Sequence, residues 1–511
     1  MIKDIINSKK YILTYVLLIL FSCLILFNGL KFKNIWFPIS ISLILIICGS
    51  VMLYYYNLNE NIKIENLALI IILLFGTFCL FLNPVLDVCD ENEHFMRADI
   101  QSTGQIIPIY DKNSNHYNAT KLTKDMLADW HKPFFESAVA YSPINNTPAQ
   151  VTSAFAQNPS YGYLFSSLGI FIAKLLNLTE IWALYLGRIF NLILYGILVY
   201  ASIKKAPAYK MAILVSSCIP LAIYQAGSFS IDGLVFGLSF LIISYFLYMV
   251  FCEDNSKRKN ISIFYSLIVI LSLIKPNYII FGILGLIIPK NKLKINDYIM
   301  IIGCIIILLV ITICYTHYYS IDALNMSWRR GYFIGMHVNQ TEQLNFILHN
   351  KKNVLILFSS LIYEIPRLIG ELFQLSVDKH AYNSSIISWI YAIFFTIFMV
   401  IFPFKTKIVK KVGVTSSKIN KKMRLELLII VIIIFIGTYF IQYLTWMSVG
   451  SLTFKNNGVF IRYFIPLLPL LPLIFNIPKW KIEIKNSEIW VVLLVISFIS
   501  SLILLITSHY Y

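Results

Sequence analysis

The chain has 511 residues, 58% of them hydrophobic and only 13% charged, and 42 Lys and Arg against 25 Asp and Glu give a net charge of +17. Apolar runs long enough to cross a bilayer recur throughout, and continuous runs such as IILLFGTFCLFL let helices satisfy their own backbone in lipid, which excludes a β-barrel of short alternating segments. The basic excess lies in short stretches between the runs rather than on a face interleaved with aromatics, which argues against nucleic-acid binding, and eight cysteines without CxxC spacing imply neither a disulfide framework nor a zinc site.

The opening MIKDIINSKK precedes an apolar run with no small-residue cleavage site after it, so an uncleaved first span is predicted near 11–30. Further spans are predicted near 36–56, 66–83, 181–203, 208–227, 233–252, 297–319, 385–404, 425–447, 457–475 and 489–508, with a short pair at 261–274 and 277–289. The expected fold is all-α, a polytopic transmembrane bundle of about thirteen spans, in which an amino-terminal hairpin (1–65) precedes the main membrane domain (66–511).

Orientation follows from the loops. KTKIVKKVGVTSSKINKKMR, Lys405 to Arg424, carries eight basic residues and no acid, which assigns it to the cytoplasm. The smaller basic loops at Lys204–Lys210, Lys257–Lys259, Lys290–Lys294 and Lys479–Lys485 should share that side, with the amino terminus in and the carboxyl terminus out. YGYLFSSLGIFIAKLLNL, Tyr161 to Leu178, is long enough to cross, but counting it would turn Lys204 and Lys205 outward, so it is placed on the outer surface as an interfacial or re-entrant helix. The same parity keeps Val354–Leu375 in or on the outer leaflet. Residues 84–178 and 320–384 are then extracytoplasmic, and nine of the 25 acids fall between Asp87 and Glu136. Chemistry is expected on that face.

A helix starting at Asp90 puts Asp90, His94 and Arg97 on one face at i, i+4 and i+7, with Glu91 beside them. A carboxylate next to a His and an Arg has what a general base needs; the plainer alternative is a solvated acidic loop that also holds Asp87 and Glu93. The DExxH pattern lacks one His of a zinc protease motif, so zinc hydrolysis fits poorly. Asp232, in QAGSFSIDGLVFG, falls in a short outer turn. It can cap the next helix, hold a reacting group, or share a divalent cation (Mg or Mn) with Asp90 and Glu91. Lys275 interrupts LSLIKPNYIIFG, where an intramembrane Lys needs an acid or a phosphate unless it snorkels to an interface. Arg329 and Arg330 in NMSWRRGYF, and Arg462 with Tyr463 in NNGVFIRYFIPLLPL, are outer cations beside aromatics. Planar guanidiniums suit a lipid phosphate, with a headgroup or structural contact as the alternative for each.

In chain order, NPxxDxCDExxHFxRA, NPSYGYLFSSLGIFIAKLL, LGRIFNLILYGILVY, IPLAIYQAGSFSIDG, IKPNY, QTEQLNFILHNK and RYFIPLLPL together resemble a bacterial polytopic family known as domain of unknown function 2142, which is grouped with the GT-C glycosyltransferases. The resemblance runs from about Leu67 to the end, and DExxHxxR with RYxxPLLP is its most specific part. It implies that a sugar passes, with inversion, from a polyprenyl-phosphate donor to an envelope glycan or lipid acceptor on the outer face of the bacterial plasma membrane. It implies Asp90 or Glu91 as the base and Asp232 as the acid that orients acceptor or metal. Arg462, with Arg329, Arg330 or Lys275, would neutralise the departing phosphate, and His94, Arg97 and Tyr463 would line the substrate. A lipid-linked glycan transporter or flippase would instead show inverted repeats and midplane charges; no clear repeat is present, and the short pair around Lys275 is the one feature in its favour. A polysaccharide polymerase would rely on arginines more than on an acidic cluster.

Overall fold

The structure is a computed structural model that describes residues 2–28, 34–58, 62–111, 114, 116–156, 158–252, 257–320, 329–373, 385–402, 404, 419–476 and 486–511. Three long apolar helices, α1 (Ile2–Leu26), α2 (Trp36–Leu58) and α3 (Ile64–Leu82), lead into a layer of short elements that includes α4 (Glu91–Ser102), α5 (Lys121–Ala128) and α6 (Leu164–Leu175). Next come α7 (Glu180–Lys205), the broken pair α8 (Lys210–Ser217) and α9 (Pro220–Ala226), α10 (Asp232–Phe251) and α11 (Lys257–Ile274). Ile295–Tyr315, Ser385–Ile401, Lys421–Trp446 and Ser487–Tyr510 complete an all-α polytopic bundle.

Nine helices among the described residues are long and apolar enough to cross a membrane. Eight of them coincide with predicted spans, and the other predicted spans appear as shorter or broken helices. The breaks have local causes. Pro220 stops α8 from running on into α9, and Pro276 ends α11 before Lys275, because a proline ring clashes with the preceding helical turn. Ile461–Leu470 is a 3₁₀ stretch containing Pro466 and Pro469. At about 2.0 Å rise per residue it lets Ile461–Phe475 cover about 27 Å, close to the thickness of a hydrocarbon core.

Side-chain contacts divide the bundle into two ends. At one, Lys210 pairs with Glu65 at 3.3 Å, Lys205 reaches Asn260 Oδ1 at 3.0 Å, and Lys257 donates to Lys292 O at 2.6 Å. Tyr209 stacks on Phe404, and Arg424 donates to Asn476 O at 2.6 Å. The small basic loops at 204–210, 257–259 and 290–294 therefore gather at one end, and Phe404 and Arg424, which bracket the longest one, join them. Residues 405–418 of that loop and 479–485 lie outside the described residues. The other end holds the acids from Asp87 to Glu136. The carboxyl-terminal helix also arrives there, where Tyr510 Oη donates to Asp87 Oδ2 at 2.5 Å. That helix runs beside α1, with Tyr11 against Trp490 and Tyr15 Oη 3.0 Å from Ser500 Oγ.

Of the two segments that parity kept from crossing, α6 lies at the acidic end, with Tyr163 and Lys174 bound to His94 and Asp99 of α4. In α6, Leu164, Leu168, Phe171 and Leu175 are exposed, while Ser166, Ser167, Gly169 and Ala173 face the protein. This outward apolar stripe is what a helix lying against lipid presents, and about 18 Å of length is too short to cross. A Cβ on Gly169 would sit 2.5 Å from the backbone nitrogen of Gly187, so the close approach of α6 to α7 requires glycine. Residues 351–373, apolar enough to cross, form two helices, Lys351–Ser359 and Leu361–Phe373. They are held to 454–461, where Phe454 N donates to Ser360 Oγ, Arg367 to Val459 O, and Ile461 N to Glu371 Oε2, and the second runs on until Phe373 packs against Tyr391 and Phe395 of Ser385–Ile401.

A small antiparallel sheet in the acidic layer was not anticipated. β1 (Tyr110–Asp111), β2 (His116–Thr120) and β3 (Pro148–Val151) are ordered β1-β2-β3, with Tyr117 opposite Val151. Tyr117, Ala119 and Val151 cover Met96 and Ile100 of α4. Asp99 locks this sheet to the membrane layer, accepting from Thr120 N, Thr120 Oγ1 and Thr123 Oγ1 and pairing with Lys174 of α6 at 2.5 Å. The core that results positions α4 between the sheet, α6 and the bundle.

Candidate functional site

The sequence suggested a helix beginning at Asp90. The helix begins one residue later, and Asp90 precedes it with a left-handed backbone, φ +62°. An L-residue other than Gly, Asn or Asp is rare in that region. The turn separates the two neighbouring acids and takes Asp90 off the α4 face that carries His94 and Arg97.

Glu91 points inward and is fully buried. Its Oε1 accepts from Arg188 Nε at 2.8 Å and Phe229 N at 3.0 Å, and its Oε2 accepts from Arg188 Nη2 at 2.7 Å and Val88 N at 3.3 Å. Arg188, equally buried in α7, spends its remaining N–H groups on Leu80 O, Asn83 O and Pro84 O. All five donors are satisfied, and the pair ties the end of α3, the start of α4, α7 and the α9–α10 turn together. Arg188 was missed in the sequence. Its signal was present: an Arg inside the apolar run LGRIFNLILYGILVY demands a partner.

Asp90 turns the other way, to Arg462. Arg462 Nη2 donates to Asp90 Oδ2 in a short ion pair, and Arg462 Nε lies 3.2 Å from Asp232 Oδ2. That second approach is not aligned as a hydrogen bond, so this buried N–H has charge complementarity without a proper acceptor. Lys275 Nζ stands 3.8 Å from Asp232 Oδ1 and 4.6 Å from the centre of the Tyr463 ring. The sequence candidates Asp90, Asp232, Lys275, Arg462 and Tyr463 are thus brought together from four separate segments. Asp232 and Arg462 are buried, whereas the Asp90 side chain is 42% exposed and that of Lys275 30%. Burial works to raise the Asp90 pKa, but Arg462, His94 and Lys275 together outweigh it, and the carboxyl titrates below the usual carboxylate range.

His94 lies beside this cluster. Its ring stacks on Phe155, and its Nδ1 is 2.8 Å from Tyr163 Oη. Tyr163 Oη also accepts from Asn158 Nδ2 at 2.9 Å. Burial pushes the imidazolium down to about 4 against the pull of Asp232 and Asp90, so the ring is neutral at neutral pH. Arg97 is fully buried one turn further on, its Nη groups 3.2 Å from Gln101 Oε1 and Ile106 O and its guanidinium over the Tyr163 ring. Among the described residues no carboxylate pairs with it. Arg97 and His94 therefore share Tyr163 rather than Asp90.

The remaining candidates separate from the cluster. Arg329 and Arg330 open a short helix, Arg329–Gly335, but their side chains lie outside the described residues. Asp87 binds His131 Nδ1 and Tyr510 Oη, and Glu93 accepts from Ala154 N at 2.7 Å. A divalent cation shared by Asp90, Glu91 and Asp232 does not fit: Glu91 is saturated by four N–H donors, and Arg462 stands between the two other carboxylates. Among the described residues no group of three or more His, Cys, Asp or Glu side chains is placed to hold a metal.

A family model described as "Predicted membrane protein (DUF2142)" matches residues 73–471. No curated protein and no solved structure matches the chain.

Proposed function

Because this chain belongs to the DUF2142 family of predicted membrane proteins, whose description names no activity, we propose a function from the site itself: a membrane glycosyltransferase that moves a sugar from a polyprenyl-phosphate donor to an extracytoplasmic envelope glycan or lipid, with inversion. The observation that carries this reading is the convergence of Asp90, Asp232, Lys275 and Arg462 at the acidic end of the bundle, beside the lipid-facing helix α6. Two carboxylates and two cations at a membrane surface suit a reaction in which a hydroxyl loses a proton while a phosphate gains charge.

In this reading the acceptor oxygen attacks the anomeric carbon as its proton passes to Asp90. The bond from that carbon to the phosphate oxygen breaks, and the electron pair leaves with the lipid phosphate. Arg462 and Lys275 stabilise the charge that develops there, and Asp232 holds both cations in place. Neutral His94 offers its second ring nitrogen as a hydrogen-bond partner to a substrate hydroxyl. Glu91 takes no part in proton transfer, since both its oxygens are engaged by fixed donors. The active face would be the outer face of a bacterial plasma membrane. The broken helix at Lys275 is the observation that favours a lipid-linked glycan transporter as the second reading.

The test is reconstitution in vesicles with polyprenyl-phosphate-linked sugars, following transfer to lipid and glycan acceptors. Asp90→Asn should fold normally and lose transfer by about 10²-fold or more. Full transfer by a stable Asp90→Asn protein would end the catalytic reading, and movement of the lipid-linked sugar across the vesicle without any transfer would favour the transporter.

A further inference from the structure

The two buried arginines that meet the Asp90–Glu91 pair are not equivalent. Arg188 has an acceptor for every N–H, whereas Arg462 holds Asp90 with one terminal nitrogen and leaves Nε facing Asp232 out of alignment. Its backbone is anchored, because the preceding Ile461 N–H is held by Glu371 Oε2 at 3.0 Å, so a change of partner needs only a swing of the side chain. Asp90 is reachable from solvent in front of it, and Lys275 is loosely paired and partly exposed beside it.

This arrangement balances two negative against two positive charges. A phosphate brought into it offers Arg462 what Asp232 does not, a planar match of two acceptor oxygens to two N–H donors. The same exchange removes from Asp90 the guanidinium that occupies its Oδ2 oxygen. A carboxylate held by a guanidinium is a poor proton acceptor; one released beside neutral His94 is a better one.

We propose that Arg462 masks Asp90 until a phosphate-bearing donor is seated: the phosphate draws Arg462 and Lys275 to itself, and the freed Asp90 then accepts the proton of the acceptor hydroxyl. The identity of that hydroxyl rests on the glycosyltransferase reading; the exchange of partners does not. The consequence is an order of events in which the donor arms the base, so that no acceptor is deprotonated at an empty donor site. Arg462 is then a positioning residue for the base as well as a contact for the phosphate.

The exchange is tested on the full chain in detergent by carbodiimide labelling of carboxyl groups at about pH 6, read by peptide mass spectrometry with and without inorganic phosphate or, separately, a short prenyl phosphate. Either phosphate should raise labelling of Asp90 by about threefold or more, while saturated Glu91 stays unlabelled in both states. A rise with prenyl phosphate alone assigns the site to lipid phosphate, and a rise with both assigns it to the phosphate group itself. Labelling of Asp90 that stays constant or falls with both probes overturns the proposal. Because the wild-type protein carries this measurement, it does not depend on a variant that fails to fold. Arg462→Gln, where it folds, should label strongly whether or not phosphate is present. Sugar transfer without a labelling response would overturn the masking and leave the enzyme reading standing. A labelling response without transfer would do the reverse.

Discussion

Glu91 and Asp90 are consecutive, and each meets an arginine from far along the chain, at separations of 97 and 372 residues. Around Glu91 every donor and acceptor is matched and the side chain is fully buried; around Asp90 one guanidinium N–H is misaligned, one ion pair is loose and the carboxylate is partly exposed. A saturated buried pair resists exchange, because removing either partner strands a charge in a low-dielectric setting. An unsaturated pair at an accessible edge can trade partners at little cost. The difference marks Glu91 as architecture and, on the proposed function, assigns the chemistry to Asp90.

The largest effect is expected from Arg188→Met, which strands buried Glu91 and should destabilise the fold by about 3–5 kcal/mol, measured as a drop in melting temperature in detergent. The double variant Glu91→Gln with Arg188→Met should recover part of that loss. A melting temperature unmoved by Arg188→Met would remove the contrast. Asp90→Asn should behave oppositely, changing stability by less than about 1 kcal/mol while transfer falls about 10²–10⁴-fold. Comparable stability losses in Arg188→Met and Asp90→Asn would make both pairs structural.

Acid titration separates the groups further. Burial holds the folded His94 pKa at about 4, below its ordinary 6.5, so the unfolded chain binds more protons in that window and stability falls as pH is lowered from about 6.5 to 4. The slope contributed approaches about 1.4 kcal/mol per pH unit, and His94→Gln should flatten it in a melting-temperature series. The smallest effect belongs to Asp90. Its depressed carboxyl contributes stability above the ordinary value of 3.8 that is lost as pH falls through the lower folded value. Asp90→Asn should remove that drop, by a fraction of about 1 kcal/mol for so exposed a group. An acid limb identical to wild type would show that the ion pair with Arg462 does not hold in solution.

Much of this architecture could be read without coordinates. Apolar runs marked the helices, and the sparse lysines between them marked which helix ends belong together, because a charge in a membrane protein is costly wherever it cannot reach water. The same parity kept Tyr161–Leu178 from being counted as a span, and α6 lies at the acidic end. The small sheet at 110–151 escaped because its strands are two to five residues long and carry no sustained alternation. The spacing of Asp90, His94 and Arg97 suggested one helical face, and the left-handed turn at Asp90 broke it.

Composition and periodicity thus established a polytopic helical membrane protein and separated its basic loops from the acids between Asp87 and Glu136, because those properties depend on each segment's own solvation. They could not distinguish Asp90 from Glu91. Both are acids at a helix start, and what separates them is which distant arginine each one meets and how completely it is satisfied. That depends on α7 and the Ile461–Leu470 stretch arriving from opposite parts of the chain, and only the packed bundle brings them there.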